Sequence, residues 1–173
     1  MYGTSKRWNY VSRTTPEIGE LLKPLENVIK ETFLPAIIGK SFIDDVFREM
    51  ISLPSKMGGM SIPDVTEVSD REYTNSLRAT KQLIDAIIAQ NDVLMLDHGE
   101  LKNTKTAIRE ERIKYYQEKR KKIDAKSSLE VSRILDLASE KGVSCWLTSL
   151  PLEVYGFTMN KQEFHDSIAL YKI

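Results

Sequence analysis

The sequence is short of the residues from which small stable sites are usually built. It has one cysteine, Cys145, and two histidines, His98 and His165, among 173 residues. A single cysteine excludes an internal disulfide and favours a reducing, intracellular compartment, either cytoplasm or nucleus. A structural zinc site needs four ligands at short paired spacings, so these three scattered side chains predict no metal site. We also expect no cofactor, because no phosphate-binding glycine motif is present.

Long apolar runs and net charge are missing as well. No apolar run approaches the ~20 residues of a membrane span, and the N-terminus lacks the charged-then-apolar order of a signal peptide. We therefore expect no membrane partner. Lys+Arg and Asp+Glu both number 25, so the formal net charge is +0. The chain as a whole thus carries no electrostatic footprint for nucleic acid.

What the sequence does contain is apolar residues at helical spacing. They belong to a 41% hydrophobic content that can support a core, and strict alternation is rare, so the pattern predicts an all-α fold. The predicted helical segments run from Ile18 to Phe33, Ser41 to Ile51, Asp64 to about Gln90, Leu101 to Lys126, Ser127 or Ser128 onward, and Asn160 to about Leu170. After the first of them Pro35 is expected to end or kink the helix, with Gly39 as its C′ residue. Asn91–Gly99 has the composition of a linker. We predict two small helical lobes, residues 1–92 and 100–173, joined through 93–99.

Two short motifs suggest chemistry that their context argues against. Phe42-Ile43-Asp44-Asp45 echoes the aromatic-x-Asp-Asp metal motif of polymerases, but that chemistry needs a β-hairpin and a third carboxylate. Here the pair lies in a helical pattern, which predicts a solvated helix face. Nucleophilic catalysis would require His165 to lie beside Cys145 or a serine, and nothing in the sequence places it there. We therefore predict no catalytic residue and no enzymatic activity for this chain alone.

The best functional candidate is the segment from Arg109 to Lys122, inside a basic stretch that runs from Leu101 to Lys126. That stretch holds ten Lys/Arg against four Asp/Glu, which leaves 15 and 21 for the rest of the chain. Such a helix attracts phosphates without sequence preference, and its tyrosines can stack on bases. The candidate nucleic-acid-binding residues are Lys105, Arg109, Arg112, Tyr115, Lys119, Arg120 and Lys122. The alternative is a solvated helix with internal pairs such as Glu110–Lys114 and Glu118–Lys122.

Between two helical segments lies the break Leu53-Pro54-Ser55-Lys56-Met57-Gly58-Gly59-Met60-Ser61-Ile62-Pro63-Asp64. Its glycines predict a turn with positive φ before the next helix. This break resembles a segment downstream of the polymerase core in reverse transcriptases of non-LTR retroelements. Further matching stretches are Arg7-Trp8-Asn9-Tyr10, Arg13-Thr14-Thr15-Pro16, Leu21 to Glu26, Phe33 to Ala36, Asp136 to Gly142, Trp146 to Pro151, Gly156-Phe157, Lys161 and Phe164-His165-Asp166.

The resemblance implies that the chain is a fragment or remnant of such a protein, from its thumb or connector region. The palm with its catalytic carboxylates would lie upstream, and a Cys/His-rich cluster downstream. The implied partners are a template–primer backbone of RNA or DNA and the missing palm. The alternative is a helical protein–protein interaction module without nucleic-acid function, whose apolar faces need a protein partner. Phosphate binding weakens steeply with salt, whereas an apolar interface does not.

Overall fold

The structure, a computed structural model, describes residues 5–90, 96–144, 147, 154, 156 and 158–168. Within them the α-helices are α1 (Ser5–Thr14), α2 (Lys23–Val28), α3 (Leu34–Ile38), α4 (Asp45–Ser52), α5 (Val65–Ile88), α6 (His98–Lys126), α7 (Leu129–Ser139) and α8 (Lys161–Ile168). Short 3-10 turns occur at Glu20–Leu22 and Ser55–Met57. These residues contain no β-strand, so the predicted all-α class is confirmed.

The chain divides into two compact units, each made of two separate stretches. Unit 1 comprises Met1–Lys23 and Val65–Tyr115, and unit 2 comprises Pro24–Asp64 and Tyr116–Ile173. The division therefore does not follow the two contiguous lobes at 1–92 and 100–173. Residues 91–95 of the predicted linker lie outside the described residues, and His98 and Gly99 belong to α6 rather than to a linker.

The early start of α6 has a local cause. Asp97 Oδ1 accepts hydrogen bonds from the backbone N–H groups of Gly99 at 2.8 Å and Glu100 at 3.0 Å. A carboxylate in this position satisfies donors that have no partner inside the helix and interacts favourably with the positive end of its dipole. The predicted helix start at Leu101 is therefore three residues late, because Asp97, four residues before Leu101, caps the helix.

Several predicted helix ends are found where expected. Ser128 caps α7 by accepting from the Val131 N–H. Asn160 Oδ1 accepts from the N–H groups of Gln162 and Glu163, while the Glu163 carboxylate accepts from Asn160 N–H at 2.8 Å. This reciprocal arrangement is a capping box. Gly39 ends α3 with a φ of 75°, a conformation that glycine adopts without a steric penalty.

Proline does not end the helical run that begins at Lys23. Between α2 and α3 the run widens into a π-helical turn, Ile29–Phe33, and Pro35 then occupies the first turn of α3. Proline has no N–H to donate and its ring crowds the carbonyl four residues earlier, so it suits the start of a new helical segment. The run continues through Pro35 to Ile38, where Gly39 stops it.

Unit 2 has a conventional apolar core. Its fully buried large side chains come from α3, the segment between α3 and α4, α4, the break, α6, α7 and α8: they are Leu34, Ile38, Ile43, Met50, Ile51, Leu53, Ile123, Leu135 and Ile168. The break packs tightly against this core. A Cβ on Gly58 would lie 2.3 Å from the Leu135 carbonyl oxygen, and one on Gly59 would lie 2.1 Å from that of Leu53. Both positions therefore require glycine for close backbone contact.

Unit 1 is built mainly on α1, α5 and the first part of α6. Contacts between α1 and α5 bury Val68 and Ser69, and Ser12 is buried on α1. The Ser69 hydroxyl donates to the Thr66 carbonyl at 2.9 Å, so this buried polar group is satisfied within its own helix. The C-terminal part of α5 is much less buried, and Ile87 and Ile88 are largely exposed.

Candidate nucleic-acid interface

All seven sequence-predicted binding residues lie on α6, but they fall in different units. Lys105, Arg109, Arg112 and Tyr115 belong to unit 1, and Lys119, Arg120 and Lys122 belong to unit 2. Their surroundings differ widely. Whether each side chain can reach a phosphate depends on what it already contacts inside its own unit.

In unit 1, α5 and α6 run antiparallel and are joined mainly by polar side chains. The Arg112 guanidinium lies 2.6 Å from the Glu72 carboxylate. Arg78 makes two hydrogen bonds to Glu111, at 2.6 and 2.9 Å. Further toward the hairpin end, the Gln82 amide donates to the Glu100 carboxylate at 2.7 Å. One face of α6 is thus committed to α5, and Arg112 is part of that contact.

Tyr115 lies on the same inner face. Its hydroxyl donates to the Glu67 carboxylate, and the Arg71 guanidinium lies 3.8 Å from the centre of its ring. Burial, followed by the hydrogen bond to Glu67, raises the pKa of the Tyr115 hydroxyl above its ordinary value. One face of the ring is therefore covered by a cation–π contact, and the Tyr115 side chain takes part in the contact between α6 and α5.

The outer face of α6 carries the cations that remain accessible. Lys105 and Arg109 are exposed, and Lys102, which the sequence prediction did not include, is exposed beside them. Spacings of three and four residues place the three on one helix face. None is ion-paired with any residue that the structure describes. Thr106 and Ile113 lie on the same face and carry no charge, and the exposed Glu110, four residues after Thr106 and three before Ile113, is the neighbouring carboxylate. The 102–105–109 spacing was the signal for Lys102.

In unit 2 most of the predicted binding cations are buried or already contact other groups of the protein. Arg120 contacts two carboxylates, Asp124 at 3.0 Å and Asp136 at 2.7 Å, and donates to the carbonyls of Met57 and Ser132. It therefore fastens the end of α6 to α7 and to the break. Lys119 is buried, whereas Lys122 is exposed. Arg120 thus stabilises this unit, and Lys122 is the most accessible of its three predicted binding residues.

Asp44 and Asp45 are both exposed, as predicted, but only Asp45 lies within a helix. Asp44 precedes α4 and caps it, because its carboxylate accepts from the Phe47 N–H at 2.8 Å. Asp45 begins the helix and pairs with Lys30 at 2.5 Å. The Lys30 hydrogen bond and charge lower the pKa of the Asp45 carboxyl. The structural roles of the two carboxylates are a helix cap and an ion pair.

Two further features concern the described residues alone. Over residues 5–90, 96–144 and 158–168, no group of three or more His, Cys, Asp or Glu side chains is placed to hold a metal ion. Within the same part of the chain, no helix has the length and apolarity needed to cross a bilayer. Cys145 and the His165 side chain, the pair considered for nucleophilic chemistry, lie outside the described positions.

Comparisons with protein-family models, with curated protein sequences and with solved structures find no match to this chain. The resemblance to retroelement reverse transcriptases therefore stays a prediction that rests on the residues quoted for it.

Proposed function

We propose that this chain is a non-catalytic helical region of the thumb or connector kind, which holds a nucleic-acid backbone without reading its sequence. The observation that supports the proposal is the outer face of α6 in unit 1, where Lys102, Lys105 and Arg109 are exposed. Lysine and arginine that are not tied to carboxylates can replace the counterions of phosphates. The sequence resemblance supports assigning the chain to a retroelement reverse transcriptase protein, as a fragment or remnant.

The geometry of this face suits backbone contact better than base readout. From Lys102 to Arg109 the helix rises ~10 Å, so the three cations can contact successive phosphates along one strand. Flexible side chains on the outside of a helix position a backbone, whereas base readout needs groups that enter a groove at fixed geometry. We expect weak binding with no preference for base sequence.

The test is a titration of the purified chain with a labelled RNA–DNA hybrid and with an unrelated DNA duplex. Three phosphate contacts predict that affinity falls roughly 40-fold when the salt concentration rises fourfold. The triple variant Lys102→Glu, Lys105→Glu, Arg109→Glu should abolish binding. Arg112 and Arg120 are left unchanged, because altering them would break ion pairs inside the units.

A matched control carries the same change in charge elsewhere. Lys56, Arg133 and Lys141 are exposed and lie off α6, so the variant with glutamate at all three should retain binding to within a few fold. Equal loss in both triple variants would indicate only a response to net charge. No binding at low salt by a chain that circular dichroism shows to be folded would exclude the proposal.

A second candidate function, a helical protein–protein interaction module, is favoured by a different observation. Four large apolar side chains of α5 are substantially exposed: Leu77, Leu83, Ile87 and Ile88. An interface formed by these side chains would persist as salt is raised, unlike phosphate binding. The two candidate functions depend on different helices of unit 1, α6 for phosphate binding and α5 for a protein interface. Mutations can therefore distinguish them.

A further inference from the structure

The C-terminal half of α5 has two faces with distinct chemistry. One face holds α6 through Arg78 and Gln82. The other carries Leu77, Thr80, Ile84 and Ile87, at spacings of three, four and three residues. That spacing is the seam of a coiled coil. Leu77 is 43% exposed and Ile87 is 66% exposed, so the residues that the structure describes leave much of the seam uncovered.

Apolar side chains extend the seam on both sides of its four central positions. The polar side chain at its centre already has a hydrogen-bond partner. Leu83 flanks it on one side and Ile88 on the other, and they are 44% and 75% exposed. The polar member, Thr80, donates its hydroxyl to the Ser76 carbonyl of its own helix at 2.8 Å. Covering this face would therefore leave no unpaired hydroxyl donor behind.

Charge is confined to one flank of the seam. On that flank Lys81 and Asp85 form an ion pair at 2.8 Å, and both are more than half exposed. The opposite flank carries Ser76, Ala79, Leu83 and Ala86, which have no charge. Any helical partner must match one acidic and one basic group on one side and none on the other.

We propose that a second copy of this chain covers this face, with the two α5 helices antiparallel about a two-fold axis near Leu83. This makes the second candidate function specific and rests on it. In an antiparallel helix pair the equivalent flanks of the two copies lie together. The axis would place Lys81 of each copy opposite Asp85 of the other, and the uncharged flanks opposite each other. The formal net charge of +0 adds no repulsion between copies.

The contact is small, and its size sets the expected affinity. From Leu77 to Ile88 the helix rises ~16 Å, and one helix face of that length buries less than the ~1,200 Å² that stable interfaces usually reach. We therefore expect a dimer in the high-micromolar range that dissociates on dilution. An antiparallel α5 pair would leave the outer face of α6 out of the contact.

Sedimentation equilibrium of the full chain, from low to high micromolar concentration, tests the proposal. The wild-type chain should shift from monomer to dimer, and Ile87→Asp should weaken dimerisation at least ~10-fold, because it places a charge in the seam. Leu21→Asp is the matched control: Leu21 is 77% exposed in the same unit but lies off α5. A monomer at every concentration, or equal weakening by the two variants, would overturn the proposal.

Charge exchange tests the antiparallel arrangement itself. Lys81→Asp alone and Asp85→Lys alone should each weaken the dimer, because each places like charges together. Mixing the Lys81→Asp chain with the Asp85→Lys chain should give a mixed dimer tighter than either variant forms alone, because opposite charges then face each other across the axis while the pair inside each helix stays broken. Circular dichroism of each variant checks that α5 remains helical. A mixed dimer no tighter than the two single-variant dimers contradicts the antiparallel arrangement about a two-fold axis near Leu83. The hybrid titration depends on other side chains, so nucleic-acid binding and dimerisation can fail independently.

Discussion

Two arginine–carboxylate pairs with almost the same hydrogen-bond lengths lie in very different surroundings in the two units. In unit 2, Arg48 contacts Glu26 through Nε at 2.6 Å and through Nη2 at 3.0 Å. In unit 1, Arg78 contacts Glu111 through its two terminal nitrogens at 2.6 and 2.9 Å. The side chains of the first pair are 6% and 11% exposed, and those of the second 38% and 56%.

The buried pair does more than join two helices. The Arg48 guanidinium also donates to the backbone carbonyls of Ile62 at 2.8 Å and Pro63 at 3.0 Å. It thereby satisfies backbone groups at the end of the break, just before Asp64. The exposed pair instead links α5 to α6 at the surface, where water competes for both partners. The same kind of ion pair thus stabilises the buried interior of unit 2 and joins two helices, α5 and α6, at the surface of unit 1.

Removing Arg48 should have the largest effect. In Arg48→Met the Glu26 carboxylate stays buried without its counterion, and two carbonyls lose their donor. Such a change typically costs ~3–5 kcal/mol. Arg78→Met should lower the free energy of unfolding far less. The ratio of the two losses measures how much burial adds to the effect of removing an arginine from such a pair. The experiment is urea unfolding followed by circular dichroism, with hydrogen exchange to separate the two units.

The double variant Glu26→Leu, Arg48→Met is the control for this comparison. Removing both charges together leaves no unpaired carboxylate, so much of the lost stability should return. Equal destabilisation by Arg48→Met and Arg78→Met would show that burial does not distinguish the two pairs.

The glycine at the turn of the break gives the next largest effect. Gly58 has a φ of 84°, and a Cβ there would lie 2.3 Å from the Leu135 carbonyl oxygen. Gly58→Ala combines backbone strain with overpacking against α7, and we expect a loss of roughly 2–5 kcal/mol. Gly39→Ala is matched in φ, at 75°, but has nothing within 4 Å, so strain alone predicts a loss of about 1 kcal/mol. Denaturant midpoints of the two variants that coincide would contradict close packing of the break.

Local features of this fold could be predicted from the sequence because their causes are local. The caps at Ser128 and Asn160 and the stop at Gly39 each depend on residues within one helical turn. The break was predicted from its glycines for the same reason. The turn at Gly58 has positive φ as expected, but the close contact with Leu135 was not foreseeable, because it joins distant parts of the chain.

The partners that charged residues of α6 find on other elements could not be predicted. Helical spacing favours pairs within the helix, such as Glu110–Lys114, yet Arg112 pairs with Glu72, 40 residues earlier. Arg120 reaches the Met57 carbonyl, 63 positions away. Which helix packs alongside decides these contacts, and a count of charges along one helix carries no such information. A basic segment therefore overstates the number of accessible cations wherever neighbouring helices supply carboxylates.

The smallest effect is expected at the exposed pair and is best measured as a pKa. The Arg78 hydrogen bond lowers the pKa of the Glu111 carboxyl in the folded protein. A lowered folded pKa means that the pair stabilises the fold above the ordinary carboxyl pKa, and that this contribution is lost as pH falls through the folded value. In Arg78→Gln, an NMR titration should find the Glu111 pKa back near its ordinary range.

Lys81→Gln is the control for that titration, because Lys81 pairs with Asp85 at 2.8 Å and not with Glu111. It should leave the Glu111 pKa unchanged. Added salt should reduce the difference between wild type and Arg78→Gln, since both partners face solvent. The stability that the Arg48–Glu26 pair contributes should depend less on salt, because both side chains are buried and their charges are screened far less. A Glu111 pKa that stays low in Arg78→Gln would mean that the combined field of the other charges on α5 and α6, rather than the Arg78 guanidinium, keeps the carboxylate charged.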